Sequence, residues 1–282
     1  MALFISSLNS GSNGNCYYVG NEREAVLVDA GISCRETEQR MANLQLSMEK
    51  VKAIFISHEH IDHIRGVTVL ARKYKLPVYI TPATAKHTGL LSGKDLMHSF
   101  KKDESVLVGD LTVTPFSKHH DATDPFSFVV EHNGVKAGVI TDIGVACKSV
   151  IHYFKQCHAC FLESNYDERM LEEGTYPTRL KNRIRGGKGH ISNLQAVELF
   201  MNHRPAFMSH LLLSHLSKNN NHPDIVHHLF SKNSGSTNII IASRDRETDV
   251  YEIRNVKDGL SKILPPVLRK EKKESMQMSL FD

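Results

Sequence analysis

The chain has 282 residues, 40% of them apolar and 23% charged, the balance of an ordinary globular protein with a real core in one large domain or two small ones. Its net charge of +4 permits an anionic partner without demanding one. No apolar stretch is long enough to span a bilayer, the start at Met1-Ala2-Leu3 carries no signal-peptide pattern, and five scattered cysteines argue against a disulfide framework, so a reducing cytoplasm is expected.

In chain order, Leu3–Ile5 is apolar, Ser10–Asn15 makes a tight Gly/Ser/Asn turn, and Cys16–Val19 and Ala25–Val28 read as strands. Asp29-Ala30-Gly31 ends the second of these, and Ser33–Leu46 has helical character. Val51–Ile56 is an apolar run with the signature of a buried strand. Helical spacing follows over Ile64–Tyr74, then a short strand at Pro77–Ile80. Val106–Val108 and Leu111–Thr114 form one hairpin across Gly109-Asp110, and Phe126–Glu131 with Val135–Thr141 form another across His132-Asn133-Gly134. The second half repeats the plan loosely: helix Val145–Lys155, strand Ala159–Leu162, a capping-box helix from Ser192 to Asn202, strand Phe207–Ser214, helix Pro223–Ser231, and strands Asn238–Ala242 and Asp249–Ile253. Strands cluster and a helix crosses, twice, which predicts an α/β (α+β) four-layer αββα sandwich in a single domain over residues 1–264. Residues 265–282 turn charged and read as a flexible tail.

The chemistry is concentrated after the Val51–Ile56 strand, in Ser57-His58-Glu59-His60-Ile61-Asp62-His63. Three imidazoles and a carboxylate within six positions are costly to desolvate unless a cation holds them together, and so many donors in one turn suggest two metals. Other donors also stand at strand ends: Asp29, His119 or His120, Asp142 and His215. The remaining histidines lack such context. Cys157-His158-Ala159-Cys160 is a lone C-x-x-C without a partner pair and reads as buried thiols.

This ordered set (strand-end Asp, H-x-H-x-D-H, distant His, distant Asp, final His) resembles the metallo-β-lactamase superfamily. The resemblance implies that His58, His60 and His120 bind one divalent metal ion, and that Asp62, His63 and His215 bind the second. It further implies that Asp142 bridges the two and that Asp29 orients the cluster from behind, with Asp62 also aiming or accepting the proton of the nucleophile. His120 is preferred to His119 because His120-Asp121-Ala122 matches one branch of the superfamily. A His-rich site suits zinc, and the shared carboxylates admit manganese or iron.

Further motifs are similar to the YycJ/WalJ-like branch: Ser10-Gly11-Ser12-x-Gly14-Asn15, Thr141-Asp142-Ile143-Gly144, Glu163-Ser164-Asn165-Tyr166-Asp167, Tyr176-Pro177, Gly189-His190-Ile191-Ser192-Asn193 and His215-Leu216-Ser217 with Asn220. That branch implies 5′-to-3′ exonuclease action on DNA in mismatch repair, without the inserted domain of RNase J or the exosite arm of RNase Z. The competing expectations are a small-molecule hydrolase of the same fold, acting on a thioester, lactone or cyclic phosphodiester, and a metal-binding adaptor with little turnover. The basic run through Arg179, Lys181, Arg183, Arg185 and Lys188 reads as a cationic loop for a phosphodiester, with Ser192 and Asn193 opening a helix whose N–H groups meet an anion. His190 is then placed to contact the scissile phosphate or protonate the leaving oxygen. The Ser10–Asn15 turn could similarly line the site with backbone amides, or be a plain turn. Finally, Gln277-Met278-Ser279-Leu280-Phe281 is similar to the bacterial sliding-clamp peptide Gln-x-x-Leu-Phe, in which Gln277 would hydrogen-bond and Leu280 and Phe281 would anchor.

Overall fold

The computed structural model describes residues 2–88, 90 and 94–255. The strands β1 (Leu3–Asn9), β2 (Cys16–Gly20) and β3 (Ala25–Val28) open the chain, and α1 (Cys34–Asn43) leads to β4 (Val51–Phe55). Next come α2 (Ile61–Ile64), α3 (Val67–Tyr74), β5 (Val78–Tyr79), α4 (Pro82–Thr88) and β6 (Met97–His98). The second half runs β7 (Val106–Val108), β8 (Leu111–Ser117), β9 (Phe126–His132), β10 (Val135–Ile140), α5 (Lys148–Phe154), β11 (Ala159–Glu163), α6 (Glu168–Glu173), α7 (Thr178–Arg185) and α8 (Asn193–His203). It closes with β12 (His210–Ser214), α9 (Pro223–Ser231), β13 (Asn238–Ile241) and β14 (Tyr251–Ile253).

The strands form two seven-stranded sheets of matching plan, β14-β1-β2-β3-β4-β5-β6 and β13-β12-β11-β10-β9-β8-β7. Each is antiparallel where hairpins connect neighbours and parallel where helices cross over, as at β3–β4 and β10–β11–β12. The sheets face each other across an apolar layer of Ile5, Val19, Val28 and Phe55 from one and Val113, Phe128, Val139 and Phe161 from the other. Phe55 meets Phe128 edge-on at 5.6 Å between ring centroids, and Tyr17 meets Phe161 at 4.9 Å. The outer face of the first sheet packs with Met41 of α1 and Leu70 of α3; that of the second packs with Phe154, Phe200 and Phe230 from α5, α8 and α9. This is the four-layer αββα sandwich expected from the sequence. Parallel strands place their C-terminal ends side by side, so β3, β4, β10, β11 and β12 deliver their following loops to one rim.

The local differences have physical reasons. The helix after the His cluster starts at Ile61 and breaks at Gly66, where a side chain would run into the Ile32 carbonyl at 2.0 Å. The helix expected from Val145 starts only at Lys148, because the preceding residues tie down the Asp142 loop: Ile143 N–H donates to Glu163 and Gly144 N–H to the His119 carbonyl. The strand expected from Phe207 begins at His210. Residues 178–185 are a helix, not a loop; its polar face is so charged that the apolar stripe is hard to see. Cys157 and Cys160 are fully buried free thiols, and burial pushes the Cys160 thiol well up. The 265–282 tail, with Gln277, Leu280 and Phe281, lies outside the described residues.

Candidate metal centre

Every cluster histidine with a second anchored nitrogen turns its other nitrogen inward. His58 Nδ1 is 2.8 Å from Ser57 Oγ, His63 Nδ1 is 2.7 Å from Asp29 Oδ2, His120 Nδ1 is 3.0 Å from the Gly189 carbonyl, and His215 Nδ1 is 3.1 Å from Glu163 Oε1. Such outer partners fix tautomer and ring orientation. On the inner side His60 Nδ1 lies 3.0 Å from His58 Nε2 and 3.4 Å from His120 Nε2, so three imidazole nitrogens converge. The second group forms beside it. Asp62 Oδ2 stands 3.6 Å from both His63 Nε2 and His215 Nε2, while Asp142 offers Oδ2 to His63 and Oδ1 to His215, each at 3.4 Å. The donor atoms of His58, His60 and His120 lie within 4.8 Å of one another, as do those of Asp62, His63 and His215, those of His58, His63 and Asp142, and those of Asp142, Glu163, His190 and His215. His119 is not among them.

The backbone is bent to achieve this. Asp29, Asp142 and His215 sit in the left-handed region at φ 61°, 54° and 58°, a conformation that disfavours side chains. Each follows a strand directly, or by two residues after β10, and the left-handed turn aims its side chain across the rim. Asp29 also accepts from Ser57 N–H and Ser57 Oγ, both at 2.8 Å, tying the end of β3 to the start of the histidine loop. Gly31 permits that loop to lie against the chain, since a Cβ there would fall 1.7 Å from the Asp62 carbonyl oxygen.

The donor set fits divalent cations. Burial, with help from neighbouring charges, holds His58 well below the ordinary imidazole value, and burial lowers His120 to about 4. These rings therefore present lone pairs. In the second group burial is outweighed by carboxylates: Asp142, Asp62 and Glu163 raise His215 to about 10. Against the effect of burial, His63 and His215 lower Asp62 to about 2. A negative potential that can hold a buried imidazolium is one that attracts a cation. Asp142 Oδ2 and His215 Nε2 are moreover buried polar atoms without a hydrogen-bond partner, an arrangement that metal ligation satisfies.

Several residues act in the site in ways the sequence reading did not assign. Glu163, at the end of β11 and fully buried, accepts from His190 Nδ1 at 2.7 Å and holds His215 as well. Asn15 Nδ2 reaches His63 Nε2 at 3.1 Å and Asp62 Oδ2 at 3.3 Å, and Ser10 Oγ accepts the His215 N–H at 2.7 Å. The Ser10–Asn15 turn thus serves the site through side chains, with the Gly11 and Gly14 N–H groups used inside the turn. Lys118 is buried and donates from Nζ to the Thr141 carbonyl at 2.7 Å, bracing the strand end before Asp142.

The expected anion contacts divide. His190 takes its place at the rim, its ring centroid 5.2 Å from those of both His120 and His215. Ser192 and Asn193 do not meet an anion: both are buried, Ser192 N–H donates to the Gln195 side chain, and Asn193 N–H donates to the Tyr166 carbonyl. They are a helix cap and an interior strut, because the capping box that starts α8 consumes the groups an anion would need. Arg185 is paired with Glu172 at 2.8 Å and with Asn182, and Arg183 with Asp121, so two of the five cations of the basic run are engaged by neighbouring acidic groups. Lys188 is exposed, its backbone packed against Gly144, two residues from Asp142.

Known proteins match this chain in sequence and in fold. The beta-lactamase superfamily domain matches residues 24–215. The exodeoxyribonuclease YycJ of Bacillus anthracis is 38% identical over 224 residues, covering 78% of this chain and 85% of the relative. The exodeoxyribonuclease WalJ of Streptococcus pneumoniae is 32% identical over 228 residues, covering 79% and 84%. Among solved structures, the metallo-β-lactamase fold protein YhfI from Bacillus subtilis superposes with a TM-score of 0.69 at 18% identity, over 89% of this chain and 100% of that one. Zn²⁺-bound PqqB from Methylobacterium extorquens gives 0.67 at 15% identity, over 87% and 99%. The chain belongs to the beta-lactamase superfamily and, within it, to the family of YycJ and WalJ.

Proposed function

We propose that this chain is a dinuclear metal-dependent phosphodiesterase that degrades DNA from the 5′ end, acting in the cytoplasm in DNA repair, including mismatch repair. The observation that carries this is the complete set of inward-facing donors with the His190–Glu163 pair at its rim. The relatives named exodeoxyribonuclease support the choice of DNA. No helix among the described residues is long and apolar enough to cross a membrane.

His58 Nε2, His60 Nδ1 and His120 Nε2 would hold one ion. Asp62, His63 and His215 would hold the other, with Asp142 between them. Zinc suits the imidazoles; manganese or iron suits the shared carboxylates. Ions bound there lower the pKa of water and offset charge on phosphoryl oxygens. Asp62, 17% exposed at its side chain, orients the attacking water and accepts its proton. His190, fixed through Nδ1 by Glu163, keeps Nε2 for the leaving oxygen. Lys188 contributes charge to the DNA backbone on that side. In the tail, Gln277, Leu280 and Phe281 dock on a sliding clamp, which raises the local concentration of enzyme on DNA. Deleting 277–282 would then abolish clamp binding and spare cleavage of short DNA.

The test is incubation with 5′-labelled duplex DNA and Mn²⁺ or Zn²⁺, beside Asp62→Ala. Metal-dependent release of label by the native chain alone is expected. Absence of cleavage with either metal, together with turnover of a thioester, would overturn the reading.

A further inference from the structure

Beside the metal centre lies an open cavity of about 670 Å³, between the loop that follows β12 and the 243–249 segment that leads to β14. Ser10 and Leu216 line it, and both belong to the support of His215: Ser10 accepts the His215 N–H, and Leu216 is the next residue in the chain. The cavity therefore shares a wall with the site. Its volume lies within the range of small-ligand pockets, roughly 300–1,000 Å³.

Lys218 and Arg246 are exposed and form no ion pair among the described residues. The guanidinium of Arg244 is held by the Leu216 carbonyl at 2.9 Å, not by a carboxylate. The same lining carries Asp245, Asp249 and a buried Glu247, whose Oε1 accepts from Asn43, so formal charges balance. The remaining wall is apolar and aromatic, with Leu216, Ile240, Ile241 and Tyr251. Unpaired cations beside carboxylates and an apolar wall do not suit a polyanion alone. They suit a nucleotide, with cations for phosphate, carboxylates for the amino groups of a base, and a flat apolar surface for its ring.

We infer that this cavity is a nucleotide subsite, which holds a DNA unit at a distance from the scissile phosphate, along the edge of β12. Arg244, Lys218 and Arg246 would take its phosphate at one end, and Tyr251, whose ring packs at 5.4 Å on His210 at the start of β12, would lie on the side of its base. The inference rests on the nuclease reading for its place in the reaction, but not for the binding itself.

The experiment uses the full metal-loaded chain and the double variant Lys218→Ala/Arg246→Ala. Two substrates are compared: a short 5′-phosphorylated single-stranded DNA, and bis(p-nitrophenyl) phosphate, which is too small to reach the cavity. In parallel, binding of dAMP is measured by calorimetry. The variant is expected to lose about tenfold of its preference (kcat/KM ratio) for DNA over the small diester, mainly through KM, and to bind dAMP about tenfold more weakly. An unchanged ratio, or equal loss on both substrates, overturns the subsite. If the native chain cleaves neither substrate, the nuclease reading fails. dAMP binding then decides the subsite alone: a loss in the variant supports it, and no binding by the native chain overturns it.

Discussion

The two sheets supply the site in different ways. The first concentrates its donors in one loop: His58, His60, Asp62 and His63 follow β4 within six positions, backed by Asp29 from the neighbouring strand. The second sheet spreads its donors over about a hundred residues: His120 after β8, Asp142 after β10, Glu163 at the end of β11, and His215 after β12. A cluster in one loop is specified by local sequence. A distributed set is specified by strand order, since only the parallel run β10–β11–β12 makes Asp142, Glu163 and His215 neighbours. The first half is thus robust to changes elsewhere, and the second depends on the whole sheet being correct.

Substitutions sharpen that contrast. Asp62→Ala, in the local cluster, is expected to lower kcat on DNA by about 10³-fold or more, and exhaustive chelation should match it. His190→Ala, on the distributed side, should cost about 10²-fold in kcat with metal content unchanged, as measured by steady-state kinetics and elemental analysis. Equal loss of bound metal in that variant would make His190 a ligand and erase the distinction. Asp29→Asn keeps size but weakens the hold on His63 Nδ1 and Ser57, and a metal titration should show affinity reduced by about tenfold. Ser192→Ala removes the α8 cap, and denaturant unfolding should register about 1 kcal/mol. Arg185→Ala should change DNA affinity less than about twofold, because its partner is Glu172 and exposed pairs contribute little; a large drop would restore the basic run as a DNA contact.

The same contrast explains what the sequence made legible. His58 to His63 announces itself because that donor density has few other uses. The sandwich was legible from hairpin turns and apolar runs such as Val51–Ile56, whose burial follows directly from composition. Glu163 was not, since one carboxylate among 31 acidic residues gains meaning only when β11 is laid between β10 and β12. Lys118 was hidden for the same reason, and Asn15, legible only as part of a turn offering backbone amides, acts instead through its side chain. The charge of Arg179–Lys188 was visible, but the pairing of Arg183 with Asp121 and of Arg185 with Glu172 is a tertiary fact. Ser192 was visible both as a cap and as an anion site, and hydrogen-bond accounting allowed only the first.

The left-handed backbone at Asp29, Asp142 and His215 sets stability against activity. At each position glycine would relax the main chain while deleting a side chain the site depends on. Selection for a sturdier fold alone would therefore drift toward an inactive protein at three points at once. Side chains at those turns mark places where the molecule gives up durability to keep its chemistry.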